Sequence, residues 1–379
     1  MIKLILLYTV RILLSIYKIF RIHPKQCFFM SYEGSQYSCN PRAIYEYMDK
    51  NFEGFVFIWA ATENVNVKSA SEKNKLKIVK PNTFASFFYI ITSKYVFTNI
   101  QLSTYIPKKK DSIWVNTWHG GGAFKKVEYP SINLYAIITK KLQCKQTDFY
   151  ISSSQIFTEV MSASTNIPKS KFLKIGMPRN DIFFVSNSET DEIKKSVRRK
   201  YGIPESNFIV IYAPTYRGDA HAGQFNMELD ILRVIDVMKI KYRKEISFLV
   251  RSHHTVNSNF EISDNFIDVT DYPDMQDLLI TADCLITDYS SCIWDFALTK
   301  KPGFLFVPDL QEYIEKRGLY MDISDMPYPY AENNTDLINL ISNYNIDFAK
   351  NKINEYLQKM INYDYGTANA SLVKELLSE

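Results

Sequence analysis

"SETDEIKKSVRRKYGIP", residues 188–204, decides how the rest of the chain is read. It is densely charged, and it lies between two series of short apolar runs. Ahead of it come "QCFFMSY" (26–32), "FVFIWA" (55–60), "KIVK" (77–80), "YVFTN" (95–99), "SIWVNTW" (112–118), "FYISSS" (149–154) and "FLKIG" (172–176). Behind it come "FIVIYAPTY" (208–216), "ISFLVRSHH" (246–254), "FIDVT" (266–270), "CLITDYS" (284–290) and "GFLFVPD" (303–309). None of these runs alternates cleanly between polar and apolar, which is the pattern of parallel strands covered on both faces. Stretches between them, such as 225–244 and 274–282, have helical spacing. Strand and helix in alternation predict an α/β fold, and the charged segment divides it into two doubly wound, Rossmann-like domains.

The expected organisation is therefore an N-terminal helix over 1–21, domains over 22–187 and 188–345, and helices over 346–379 packing back across both. A chain of 379 residues suits two domains of ordinary size, and its 25 Phe and 26 Tyr argue for packed interiors. The net charge of +4 is spread along the chain, which gives no electrostatic footprint for nucleic acid. Five cysteines, Cys27, Cys39, Cys144, Cys284 and Cys292, are odd in number and lack metal-ligand spacing. They read as reduced thiols of a cytoplasmic protein, with no metal or other cofactor implied.

"MIKLILLYTVRILLSIYKIF" (1–20) is apolar but interrupted by Lys3, Arg11 and Lys18. A spanning helix needs about 20 mostly uncharged residues, and a secretory signal needs a small-residue cleavage site. At about 100° per residue the charges share one third of the circumference, which predicts an interfacial helix on a membrane surface. The alternative is an amphipathic helix packed on its own domain.

In doubly wound sheets ligands bind beyond the carboxyl ends of strands. "NTWHGGGAFKK" (116–126) puts His119 there, followed by Gly120, Gly121 and Gly122. On spacing alone it is equally a general base beside an acceptor-side loop and a turn with a core histidine. "YAPTYRGD" (212–219) offers Thr215 and Arg217 to phosphate oxygens, and "LVRSHH" (249–254) offers Arg251 and His253. In "ITDYSSCIWDFALTKKP" (286–302), Ser290 and Ser291 start a helix between Asp288 and Asp295, a combination suited to phosphate as well as to plain capping. A base in the first domain and phosphate-suited groups in the second match a glycosyltransferase-B-like arrangement.

The ordered set "TWHGGGAFKK", "GMPRND" (176–181), "YAPTYR", "RSHH", "TDYSSCIWDFALTKKP" and "VPDLQEYIEKRGLYMDI" (307–323) resembles the CDP-glycerol glycerophosphotransferase family, the teichoic acid primases and polymerases and their capsule-polymer relatives. The resemblance implies that His119 deprotonates the acceptor hydroxyl. It also implies that Arg251 and His253 contact the donor pyrophosphate and assist departure of cytidine monophosphate (CMP). Asp288, Ser290, Ser291 and Asp295 fall on the family's phosphate-binding helix start, with Arg217 facing the same cleft and Glu312 and Arg317 near the donor. The family commonly has "WHGTPLKK" where this chain has "WHGGGAFKK", so the glycines mark a departure on the acceptor side.

The expectation that follows is a transferase moving glycerol phosphate or ribitol phosphate from CDP-glycerol or CDP-ribitol to a hydroxyl of a lipid-linked glycan or growing polymer. It would work peripherally at the cytoplasmic face of the membrane. The alternatives are a sugar-nucleotide glycosyltransferase of the same fold in cell-surface glycan synthesis, and a membrane-associated assembly protein that keeps the fold without the activity.

Overall fold

The computed structural model describes residues 2–67, 73–127, 133–215, 228–252 and 266–378. Seven strands of the first sheet are β1 (His23–Met30), β2 (Val56–Ala60), β3 (Lys75–Val79), β4 (Ser93–Thr98), β5 (Ile113–Asn116), β6 (Phe149–Ser152) and β7 (Phe172–Lys174). The second sheet holds β8 (Phe208–Ala213), β9 (Ile246–Val250), β10 (Ile267–Asp268), β11 (Cys284–Thr287), β12 (Gly303–Phe306) and β13 (Tyr330–Ala331). Their orders are β3-β2-β1-β4-β5-β6-β7 and β10-β9-β8-β11-β12-β13, parallel throughout. Both are doubly wound: the direction of strand addition reverses between β1 and β4, and again between β8 and β11, opening a crevice at each reversal.

The apolar runs explain the parallel sheets. In the first unit, Phe29 is in register with Trp59 on β2 and with Phe97 on β4. Their rings stack across the strands, Phe29–Trp59 at 5.7 Å and Phe29–Phe97 at 5.0 Å between centroids, and all three are fully buried. Each such pair is worth about 0.5–1.5 kcal/mol beyond the burial of its area. The opposite face buries Phe28, Ile58, Val96 and Trp114 against Ile90, Ile91 and Leu14. In the second unit Val210, Phe248, Ile286 and Phe304 meet Val234, Met238, Leu337 and Ile341 from the covering helices.

The compact units are Met1–His119 with Val127–Asp181 and Tyr363–Glu379, and Gly120–Lys126 with Ile182–Asn362. The sequence reading put a single division at 187/188, whereas the chain changes unit at Asp181/Ile182 and three further places. "SETDEIKKSVRRKYGIP" forms most of the helix Asn187–Tyr201, closed by Gly202 in the left-handed region (φ +65°). Of the tail, helices Asn334–Asn343 and Ile346–Met360 belong to the second unit and helix Ala368–Leu377 to the first. The two-residue β13 is too short to leave a sequence pattern.

The N-terminal helix runs Ile2–Leu14 and continues as a 3-10 turn, Ser15–Ile19. Leu7 and Leu14, two turns apart, are buried against the first unit. Arg11 differs from the expected lipid-facing cation. Its guanidinium donates to the carbonyl oxygens of Thr104 and Ile106, and burial holds its pKa below the usual arginine value. Lys3 and Lys18 stay exposed. The other side of the element leaves Ile2, Ile5, Leu6, Ile12, Leu13, Ile16 and Ile19 between 62% and 82% exposed. Among the described residues no helix is long and apolar enough to cross a membrane.

The "GMPRND" block holds the last helix in the first unit. The buried Asp364 carboxylate accepts from the Met177 N–H (2.6 Å) and from Asn180 Nδ2 (3.3 Å). Asp181 accepts from the backbone N–H groups of Ala368 (3.0 Å) and Asn369 (2.9 Å), capping Ala368–Leu377 from a distant part of the chain. Asp364→Ala leaves buried donors without their charged acceptor, and the expected cost is about 2 kcal/mol. Urea unfolding of the two proteins measures it, and an unchanged midpoint would contradict the assignment.

Candidate active site

Asn99 follows β4 at the reversal point of the first sheet and is fully buried. Its side-chain oxygen accepts the Tyr32 N–H at 2.8 Å, and its Nδ2 donates to Ser31 Oγ at 3.1 Å. Ser31 and Tyr32 follow β1, so this one amide ties the ends of the two strands that flank the crevice. Its backbone carbonyl contacts His119 Nδ1 at 2.9 Å. A carbonyl oxygen only accepts, so Nδ1 carries the hydrogen and Nε2 of the neutral ring keeps its lone pair. That is the tautomer a general base needs.

The rest of the loop is fixed by side chains from elsewhere in the first unit. Trp118 lies in the left-handed region (φ 53°), which costs a non-glycine residue about 1–2 kcal/mol. Asn116 Oδ1 accepts the Trp118 N–H (2.9 Å), and Asn40 Nδ2 donates to the carbonyls of Thr117 (3.2 Å) and Trp118 (3.0 Å). Arg179 Nη1 donates to the His119 carbonyl at 2.8 Å. The imidazole stacks on Trp118 with ring centroids 4.5 Å apart and leans on Tyr32 at 5.6 Å. Sequence reasoning assigned no role to Asn99, Asn40 or Arg179. Asn99 stood at a strand end and Arg179 in the quoted "GMPRND" block, which are the signals that point to them.

The second sheet has the same construction at its own reversal point. Asp288 follows β11 and is 1% exposed. Its carboxylate accepts the Thr215 N–H at 2.8–2.9 Å and the Thr215 hydroxyl at 2.6 Å, joining the ends of β8 and β11. The Thr215 and Asp288 side chains therefore bond each other at the mouth of the crevice. Asp295, also buried, accepts from Gln276 Nε2 at 3.0 Å and links its helix, Cys292–Ala297, to helix Met275–Thr281.

Ser290 and Ser291 sit half-buried at the start of Cys292–Ala297. Ser290 Oγ accepts weakly from the Cys292 N–H (3.5 Å). The buried Cys292 thiol behind them is pushed up to about 11, chiefly by desolvation. Arg251 follows β9, the neighbour of β8, and its N–H donates to the Tyr212 carbonyl at 2.9 Å. Arg251, Thr215, Asp288 and the serines thus share one edge of the second sheet. Glu312 and Arg317 do not join them. Both are exposed, and Glu312 pairs with Lys316 on the outer side of helix Leu310–Lys316. That helix is seated through Tyr313, whose ring stacks on Tyr289 at 3.7 Å. Arg217 and His253 lie outside the described residues.

The glycines depart from expectation. The chain changes unit at the His119–Gly120 bond, and Gly120–Lys126 pack with the second unit. A Cβ on Gly121 would lie 2.2 Å from Cδ1 of the fully buried Trp294. Trp294 belongs to the helix that starts after Ser291. Phe124 and Lys126 then pair with 318–320: the Tyr320 N–H donates to the Phe124 carbonyl (2.8 Å) and the Lys126 N–H to that of Gly318 (3.1 Å). Gly121 is close-packed on the serine-bearing helix and Gly122 on the Phe124 ring, and at these two positions the reason for glycine is steric.

Three comparisons with known proteins bear on this arrangement. The sequence profile of the family described as CDP-Glycerol:Poly(glycerophosphate) glycerophosphotransferase matches residues 12–378. A teichoic acid poly(glycerol phosphate) polymerase of Bacillus spizizenii is 28% identical over 97% of this chain and 96% of its own length. One of Bacillus subtilis is 28% identical over 84% of this chain, which spans only 43% of that longer protein. The solved structure of the wall teichoic acid polymerase TagF superimposes with a TM-score of 0.82 at 26% identity, covering 100% of this chain and 95% of that one.

The packing of Gly121 yields a direct test. Gly121→Ala forces Trp294 or the loop to move, and overpacking of this kind costs about 1–3 kcal/mol. Combining it with Trp294→Leu, which vacates the space, should recover most of the alanine penalty in a double-mutant cycle of melting temperatures. Strictly additive effects would contradict the contact.

Proposed function

The chain belongs to the CDP-glycerol:poly(glycerophosphate) glycerophosphotransferase family, and from that premise we propose that it transfers an alditol phosphate, glycerol phosphate or ribitol phosphate, from a CDP-alditol to a hydroxyl of a lipid-linked glycan or growing polymer. The observation that carries this reading is the His119–Asn99 bond, which leaves Nε2 as an acceptor at the reversal point of a doubly wound sheet.

Nε2 takes the proton from the acceptor hydroxyl as its oxygen attacks the phosphorus that carries the alditol. The bond from that phosphorus to the bridging oxygen breaks, and CMP leaves with the electron pair. The transition state spreads negative charge over phosphoryl oxygens, so positioning and electrostatic complement do most of the work. In this reading Arg251 and the hydroxyls of Ser290 and Ser291 face that charge, joined by Arg217 and His253 on the strength of the family motif. Asp288 holds the Thr215 backbone at the end of β8. The His119–Gly120 peptide bond is where the chain passes from the first unit into the loop that packs on the serine-bearing helix.

The exposed apolar side of residues 2–19 supports attachment to a membrane surface, where a lipid-linked acceptor is met. The helix rests on its own unit through Leu7, Arg11 and Leu14, leaving Ile12, Leu13, Ile16 and Ile19 to enter the acyl boundary.

His119→Ala should lower CMP release from the CDP-alditol by about 10²–10⁴-fold while circular dichroism stays unchanged. Near-normal turnover would remove His119 as the base. The double substitution Ile12→Ser with Leu13→Ser should leave the fold intact, since both side chains are already in solvent, and weaken co-sedimentation with anionic vesicles about tenfold or more. Undiminished sedimentation would transfer membrane attachment to another surface.

A further inference from the structure

A cavity of about 730 Å³ lies in the first unit between the N-terminal helix and helix Leu134–Gln146, over the loop that follows β4. Its volume is within the range of small-molecule sites. Leu6, Leu7, Val10, Phe87 and Leu102 supply its apolar lining, while Thr139 and Gln143 add polar groups on the far wall and Lys3 adds a cation.

Two polar anchors, the half-buried Arg11 and the buried Gln146, hold the walls in place. Arg11 ties the N-terminal helix to the carbonyls of Thr104 and Ile106. From the opposite helix Gln146 Nε2 donates to the same Ile106 carbonyl at 2.7 Å and to that of Ser103 at 3.3 Å. Both walls are thus fastened to one loop, and the space between them is a defined feature of the fold. The groove also has direction. Leu6 is 63% exposed and belongs to the apolar surface of the N-terminal helix, so the groove opens onto that surface. Its floor leads the other way: Leu102 is three residues from Asn99, whose carbonyl holds His119. Three residues of extended chain span at most about 10 Å, so floor and anchor lie within that distance.

We propose that this groove receives the lipid end of the acceptor: the hydrocarbon adjoining the polar head, with the head group directed along 99–102 toward His119 and Lys3 set to meet an anionic linkage. The occupant is the acceptor's own chain, because the apolar lining is continuous with the surface assigned to the membrane while the floor lies within about 10 Å of Asn99, the residue that holds the base. The inference rests on the reading that the acceptor is lipid-linked.

The test compares two acceptors carrying the same glycan, one on a long isoprenoid diphosphate and one on a short alkyl chain, with the full-length protein and a CDP-alditol donor. Thr139→Trp puts an indole into the groove from a half-buried helical position, and Gln143→Phe does so one turn on. In both variants KM for the isoprenoid acceptor should rise about tenfold or more, which is about 1.4 kcal/mol of lost binding. Turnover on the short-chain acceptor and sedimentation with vesicles should stay within about twofold of the parent. Equal effects on both acceptors, no effect on either, or a loss confined to vesicle binding would each overturn the groove assignment. Absence of transfer to either acceptor by the unsubstituted protein would instead overturn the functional reading.

Discussion

The structure depends on how each doubly wound sheet closes its crevice. Where strand order reverses, two neighbouring strands end side by side with their backbone groups open, and something must satisfy those groups without filling the crevice. A buried Asn or Asp does this in both units. Asn99 bridges the ends of β1 and β4 through Tyr32 and Ser31, and Asp288 bridges β8 and β11 through Thr215. Asn99 has a second task, because its carbonyl also orients His119. A neutral amide suits the first crevice, since it both donates and accepts. A carboxylate suits the second, where two N–H or O–H donors converge from Thr215.

From these bridges the chemistry follows by position. The base is held by five polar contacts to the 116–119 backbone and ring, from Asn40, Asn99, Asn116 and Arg179. That number of constraints offsets the left-handed strain at Trp118 and leaves the imidazole a single orientation. The chain then leaves the first unit at the very next bond. At Gly121 a side chain has no room because Trp294 occupies the space, and at Gly122 because Phe124 does.

Much of this was legible in the sequence because it is local. Parallel strands covered on both faces announce themselves as unbroken apolar runs, and His119, Arg251 and Ser290 each stand shortly after such a run. The legible part ended where contacts are long-range. Arg179 reaches His119 across 60 positions, Asn40 reaches Trp118 across 78, and neither pairing leaves a periodic trace. The bond between Asp288 and Thr215 was hidden for a related reason: residue type suggests phosphate contact, and only the fold shows that the two also bind one another. In the N-terminal helix, periodicity predicts an apolar face, and Ile2, Ile5, Ile12, Leu13, Ile16 and Ile19 are exposed. It carried no information on which side meets the protein, so the inward turn of Arg11 was invisible.

On the proposed reading this protein moves an alditol phosphate and releases CMP. That reading is tested most directly by presenting CDP-glycerol, CDP-ribitol and a set of UDP- and GDP-sugars in turn to the protein with a lipid-linked acceptor, and weighing the product by mass spectrometry. The account predicts one alditol phosphate added for each CMP released, with CDP-alditols alone as donors. Addition of a sugar from a UDP- or GDP-donor, with CDP-alditols left intact, would contradict it.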